Sequence, residues 1–183
     1  MLAFWHRYKR NRSAVFGLVV IVLVVLMATT ADFLYPFDPF RLAGKPLSAP
    51  GTNGFLLGSD SLGRDVAAGI VHGAKTSLLI GLIATLVAVF IGILFGALSG
   101  YYGGQLDNML MRITEIFQTI PSFIFAILLV AILKPSIYSV VIAISVVSWP
   151  GVARLVRGEF LSLKSREFVQ ACHTLGMSDL RIM

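Results

Sequence analysis

Apolar residues in this chain come in long blocks, and polar residues are confined mainly to the stretches between them. A membrane-crossing helix needs about 20 mostly apolar residues, because each adds ~1.5 Å and the hydrocarbon core is ~30 Å thick. Four blocks approach or reach that length: residues 14–34, 77–98, 113–133 and 137–155. In lipid the backbone must satisfy its own polar groups, so each block is expected to be a helix. Between the first two, Pro36, Pro39, Pro46, Pro50, Gly51 and Gly54 break regular structure up to Gly58. Val66, Gly69, Ile70 and Gly73 then share one helical face, which predicts a short amphipathic helix over 64–75. Asp60 or Ser61 would cap it, and it would lie on the membrane surface or the bundle end.

After the fourth block the chain turns polar, and Phe168, Ala171, Cys172 and Leu175 recur at i, i+3, i+4 and i+7. This predicts an amphipathic helix over about 165–176, with Ser165 as N-cap, Glu167 in the first turn and Gly176 as stop. Ser178 and Asp179 can start another helix. The stripe holds small residues rather than Trp and Leu, which suits docking on a protein surface better than shallow insertion into lipid.

Composition agrees with this division. Apolar residues make up 57% of the chain and charged residues 13%, against a usual charged share of about 25%. The formal charge of +6 would raise nucleic acid as a partner, but no basic patch is interleaved with aromatics. With a cytoplasmic N-terminus, ten of the fifteen Lys and Arg, including Arg7, Lys9, Arg10, Arg12, Arg154 and Arg157, fall on the inside, the usual bias. The basic start, the apolar run to Ala28 and the small residues at 28–31 also fit a cleaved signal peptide, although three more blocks follow.

Ala84, Ala88, Gly92, Gly96 and Gly100 are spaced by four and form one narrow stripe, which lets two helix backbones approach closely. Its partner is either another subunit or another helix of this chain. Pro121 and Pro150 fall inside the third and fourth blocks and predict helix kinks. Asp32, Glu115 and Lys134 lie near block ends, so no charge marks a proton or ion relay at mid-membrane. His6 and His72 lack ligand spacing, Cys172 is a lone thiol, and no nucleophile, base or metal constellation points to an enzyme. Asn11-Arg12-Ser13 matches the glycosylation triplet but sits in the basic flank. No phosphate-binding loop for ATP hydrolysis is present.

Several stretches resemble one family. Residues Gln170, Ala171, Cys172 and Gly176 are similar to the EAA-x-x-x-G signature of ABC importer permeases, with Gln in place of Glu and Cys in place of the second Ala. Leu57-Gly58-Ser59-Asp60-Ser61-Leu62-Gly63-Arg64-Asp65 resembles the LGTDxxGRD segment of the dipeptide, oligopeptide and nickel permeases. Gly73-Ala74-Lys75-Thr76-Ser77-Leu78 is similar to their GARxSL. Tyr101-Tyr102-Gly103-Gly104, Asp107, Arg112, Ile120-Pro121 and Ser148-Trp149-Pro150-Gly151-Val152-Ala153-Arg154 also fit. The basic start and first block resemble the extra N-terminal segment of the second permease subunit of these systems.

The resemblance implies an all-α membrane protein, a partial permease bundle of about four spans with a periplasmic amphipathic helix and a cytoplasmic coupling helix. Residues 1–58 would form the basic flank, first span and external loop, and 59–183 an incomplete transmembrane domain. Glu167, Phe168, Gln170, Ala171, Cys172, Leu175 and Gly176 would form the helix that docks on an ATPase. The implied partners are a second permease subunit, cytoplasmic ATP-binding subunits, an extracytoplasmic solute-binding protein and membrane lipid. ATP would be bound by the partner, with no cofactor and no catalysis in this chain, which would sit in a bacterial or archaeal inner membrane. Family members continue with two more spans after the coupling helix, so the sequence is expected to be a truncated permease. A non-transport anchoring or assembly subunit, or a nonfunctional permease fragment, remains the alternative, and the solute (peptide, nickel or another) stays open.

Overall fold

The first apolar block becomes α1 (Arg12–Thr29), which starts where the Asn11 side chain accepts the Ala14 N–H at 3.2 Å. The computed structural model describes residues 8–52 and 54–182, so His6, Arg7 and Met183 lie outside the described residues. The block is not one helix to Leu34. It breaks at Thr30, whose hydroxyl donates to the Leu26 carbonyl at 2.7 Å, and resumes as α2 (Ala31–Leu34). Two compact units meet in sequence at Leu79 and Ile80.

In the first unit, residues 35–65 form a loop pinned from within. Buried Ser59 donates to the Lys45 carbonyl at 2.6 Å and accepts the Ser48 N–H at 2.9 Å. Asp60 Oδ1 accepts the N–H groups of Leu62 and Arg64, each at 2.8 Å. Gly58 has φ +83°, and a Cβ there would lie 2.5 Å from the Ser48 carbonyl oxygen, so glycine is required on two counts. The cap of the next helix is neither Asp60 nor Ser61. It is Asp65, whose Oδ1 accepts the N–H groups of Ala67 at 2.8 Å and Ala68 at 3.3 Å.

The expected amphipathic helix over 64–75 and the second span are a single helix, α3 (Val66–Tyr102), of 37 residues. At ~1.5 Å per residue it is about 55 Å long, well beyond the thickness of the hydrocarbon core. Nothing between 73 and 77 stops a helix, and the polar side chains there find partners. His72 Nε2 lies 2.9 Å from the Tyr35 carbonyl oxygen, and Lys75 pairs with Asp32. The face turned inward also differs from the expectation: Ala67, Ala68 and Val71 are buried, while Gly69, Ile70 and Gly73 are exposed.

The second unit packs the remaining helices: α4 (Gly104–Thr119), α5 (Ser122–Leu133), α6 (Ile137–Lys164), α7 (Glu167–Thr174) and α8 (Asp179–Ile182). The third block is not one kinked helix. It is the C-terminal part of α4 and all of α5, which meet at 82°. Pro121 removes a backbone donor and forces Ile120 into an extended conformation (φ −88°, ψ 130°), so the helix ends rather than bends. Pro150, fully buried, is instead carried inside an unbroken α6. That helix runs past the expected end at 155 to Lys164. Among the described residues, α1, α3 and α6 are each long and apolar enough to cross a membrane, and the α4–α5 pair makes a fourth crossing if counted as one broken span.

Small residues hold the second unit together. Ala84 and Ala88 are buried, and a Cβ on Gly92, Gly96 or Gly100 would fall within 2.6 Å of atoms of α6. The α3 stripe therefore packs against α6 of the same chain. Below Ala88, Trp149 and Ala153 complete the core, with Phe95 and Phe117 ring centroids 4.7 Å and 5.3 Å from that of Trp149. Ser145 Oγ donates to its own helix at Val141 O, 2.7 Å, and also faces the Ala84 carbonyl oxygen at 3.4 Å.

Candidate functional site

The short helix α7 hangs from the end of α6 across a two-residue joint. Ser165, expected as its N-cap, ends α6 instead, and extended Arg166 occupies the cap position without a side-chain capping bond. Glu167 stands in the first turn, where a carboxylate favours the positive helix end. The helix closes at Gly176 (φ +72°): the Gly176 N–H donates to His173 O at 3.0 Å and the Met177 N–H to Cys172 O at 3.2 Å. That paired closure needs a left-handed residue, which glycine supplies without strain.

Val169 is the residue α7 buries, at 8% exposure, and it does not belong to the predicted stripe. Of that stripe Phe168 is 62% and Leu175 79% exposed, Ala171 is exposed and Cys172 half-buried. Gln170 is exposed too, its amide 3.5 Å from the Ser165 carbonyl oxygen. Thus Glu167, Gln170, Ala171 and Leu175 stand on the open side of a helix whose other side is already seated, while Phe168 and Cys172 lie at the edge between the two.

The seat is the last turn of α3. Tyr101, itself buried, donates its hydroxyl to Asp179 Oδ1 at 2.7 Å, and its ring stacks with that of His173 at 6.2 Å and 26°. Lys164 donates to the Tyr101 carbonyl at 2.6 Å, tying the ends of α6 and α3 together. A cavity of about 100 Å³ remains between Tyr101, Phe160, Leu163, Phe168, Val169 and Ile182.

Directly behind this seat lies a charged joint that the sequence did not reveal. Arg157 of α6 grips Asp107 of α4 through two bonds of 2.6 Å, Nε to Oδ1 and Nη2 to Oδ2. Ser99 of α3, fully buried, donates to the same carboxylate. Three helices therefore converge on one carboxylate whose side chain is 13% exposed. Bidentate Arg–carboxylate contacts fix geometry as well as add energy. The 50-residue separation in sequence leaves no local signal that would have paired them. Among the described residues no group of His, Cys, Asp or Glu could hold a metal ion.

These features define a class: a multi-pass helical membrane protein with a short polar helix beneath its bundle, seated beside a buried tyrosine. Comparison with known proteins makes that class specific. Residues 92–183 match the binding-protein-dependent transport system inner membrane component family, and the chain belongs to it. Residues 2–50 match the N-terminal TM domain of oligopeptide transport permease C. The chain is 40% identical to the dipeptide transport system permease protein DppC of Escherichia coli K12, over 98% of its own length and 62% of the relative's. It is 37% identical to DppC of Haemophilus influenzae over 98% and 63%. With the oligopeptide transport system permease protein OppC of Bacillus subtilis the identity is 35% over 97% and 58%. The chain thus spans about three fifths of the length of these relatives. Its family consists of transport components rather than enzymes.

Proposed function

We propose that this chain forms part of the translocation path of an ATP-driven importer for peptides, and that α7 is the surface on which a separate ATP-binding subunit docks. The reading is carried by the division of α7 into an anchored and an open side: Val169 is buried while Ala171 and Leu175 face outward. Family membership and the names of the relatives support peptides as the solute class. A second permease subunit and an extracytoplasmic solute-binding protein complete the assembly. The Lys and Arg distribution supports a cytoplasmic side for the N-terminus and α7.

The mechanical requirement is a stiff path from the docking helix to the spans. α6 provides it, since one helix runs from Ile137 to Lys164, through the core residue Trp149 and on to the joint with α7. A displacement of α7 therefore acts on a helix gripped at Gly92, Gly96 and Gly100 rather than on a loose tail. The experiment is co-purification of an ATP-binding subunit with the tagged chain from detergent-extracted membranes. Ala171→Glu, which places a charge on the open side without touching the buried Val169, is expected to reduce capture by tenfold or so, since a like change in an interface costs about 1.4 kcal/mol or more. Undiminished capture by Ala171→Glu would sink the assignment of α7. Gly176 is a poorer probe, because any side chain there also strains the positive φ.

A further inference from the structure

A docking helix attached only through residues 165 and 166 would swing freely, but side chains beyond that joint also tie this one to α3. Four contacts converge on Tyr101, at the last turn of α3. The hydroxyl donates to Asp179 at 2.7 Å, the ring stacks on His173, the carbonyl accepts from Lys164 at 2.6 Å, and the Lys164 ammonium also stands 5.7 Å from the ring centroid. Asp179 and His173 lie beyond the α6–α7 joint, whereas Lys164 lies just before it. Tyr101 therefore grips the chain on both sides of the joint from a different helix.

We propose that Tyr101 is a positioning residue that clamps α7, through the His173 ring, and the start of α8, through Asp179, to α3, so that a push on α7 reaches α3 directly as well as through α6. The inference rests on the docking of an ATP-binding subunit on α7 and adds a second route for the stroke. The bond to Asp179 is its release point: it is a single hydrogen bond between side chains 78 residues apart, whereas the α6 route is continuous backbone.

The test uses the full chain in membranes, with Cys172, its lone cysteine, as reporter of α7. Tyr101→Phe keeps the ring and removes the hydroxyl, Asp179→Ala removes the acceptor, and Asp179→Asn retains an amide oxygen that accepts the same hydrogen. Maleimide labelling of Cys172 is expected to quicken roughly two- to tenfold in Tyr101→Phe and Asp179→Ala, the equivalent of one net hydrogen bond, and to stay at the parent rate in Asp179→Asn. A merely structural role would not separate the two Asp179 variants at equal thermal stability. Transmission is read from a spin label at Leu98→Cys, near the end of α3, in a Cys172→Ala background with the ATP-binding subunit bound. The spectral response to ATP should fall at least to half in Tyr101→Phe while capture of the subunit is unchanged. Equal Cys172 labelling in all four proteins overturns the clamp. A normal ATP response at Leu98 in Tyr101→Phe overturns the second route. Absence of any ATP-binding subunit on the parent chain overturns instead the docking reading, and the transmission claim with it.

Discussion

At the scale of single residues, the least conspicuous side chains decide the packing. Gly96 has no side chain because a Cβ would sit 2.5 Å from the Ala153 carbonyl oxygen and 2.7 Å from the Val156 Cβ. Neither neighbour can yield, since one is backbone and the other a branch point on α6. Gly96→Leu is expected to destabilise the solubilised protein by about 2 kcal/mol or more through overpacking, whereas Gly81→Ala, with nothing within 4 Å, should be neutral or slightly stabilising. Thermal unfolding followed by circular dichroism compares the two; equal midpoints would refute the packing. Asp60 makes a different kind of prediction. The Arg64 N–H above all, then the Leu62 N–H and the Arg64 guanidinium, hold its carboxyl below the ordinary carboxylate range. A depressed folded-state pKa means that the carboxylate stabilises the loop at neutral pH and that this contribution is lost as pH falls from about 4 through the folded value. Proteolytic nicking of residues 40–65 should therefore rise on acidification across that window. In Asp60→Asn, whose amide oxygen still accepts the N–H groups, that pH dependence should disappear.

Elements show which features were legible in sequence and which were not. The apolar runs announced α1, α3 and α6, and the prolines and glycines of 36–54 announced the loop that follows α2, because both signals are local. The start of α3 was misplaced because His72 and Lys75 interrupt the apolar run, yet a helix is indifferent to polarity where Tyr35 and Asp32 supply partners. Pro121 was visible, but not the 82° turn, which follows from what proline does to Ile120. The spacing of Phe168 and Leu175 disclosed a stripe without disclosing that Tyr101, 68 positions earlier than Val169, would receive the neighbouring face instead. The Asp107–Arg157 joint lay beyond any local pattern, and it carries the prediction proper to this scale. Asp107→Ala leaves the Arg157 guanidinium without its partner in a half-buried setting and should cost about 2 kcal/mol, less than for a fully buried pair because Arg157 is 34% exposed. Adding Arg157→Leu should recover a good part of that loss. A double-mutant cycle on unfolding midpoints measures the coupling, and simple additivity would argue against the joint.

Taken whole, the molecule leaves most of its large apolar side chains on the outside. Among the described residues, the side chains withdrawn completely from the surface are no larger than Thr114, Pro150 and Ser99, and Trp149 and Tyr101 are the large ones buried in the second unit, while Phe90, Ile93, Phe123, Ile132 and many other large apolar residues are exposed. Lipid accepts those outer faces, so small residues are left to bring the helices of the second unit into contact. The consequence is thermodynamic. Separating α3 from α6 within a bilayer would transfer the small-residue stripe of α3 and the Val152, Val156 and Phe160 side chains it meets from protein to hydrocarbon, with little water ordered or released, so cohesion draws on dispersion contacts rather than on hydration entropy. Such cohesion varies steeply with distance. A few tenths of an ångström along the glycine stripe therefore matter more to this fold than any single large side chain on its rim.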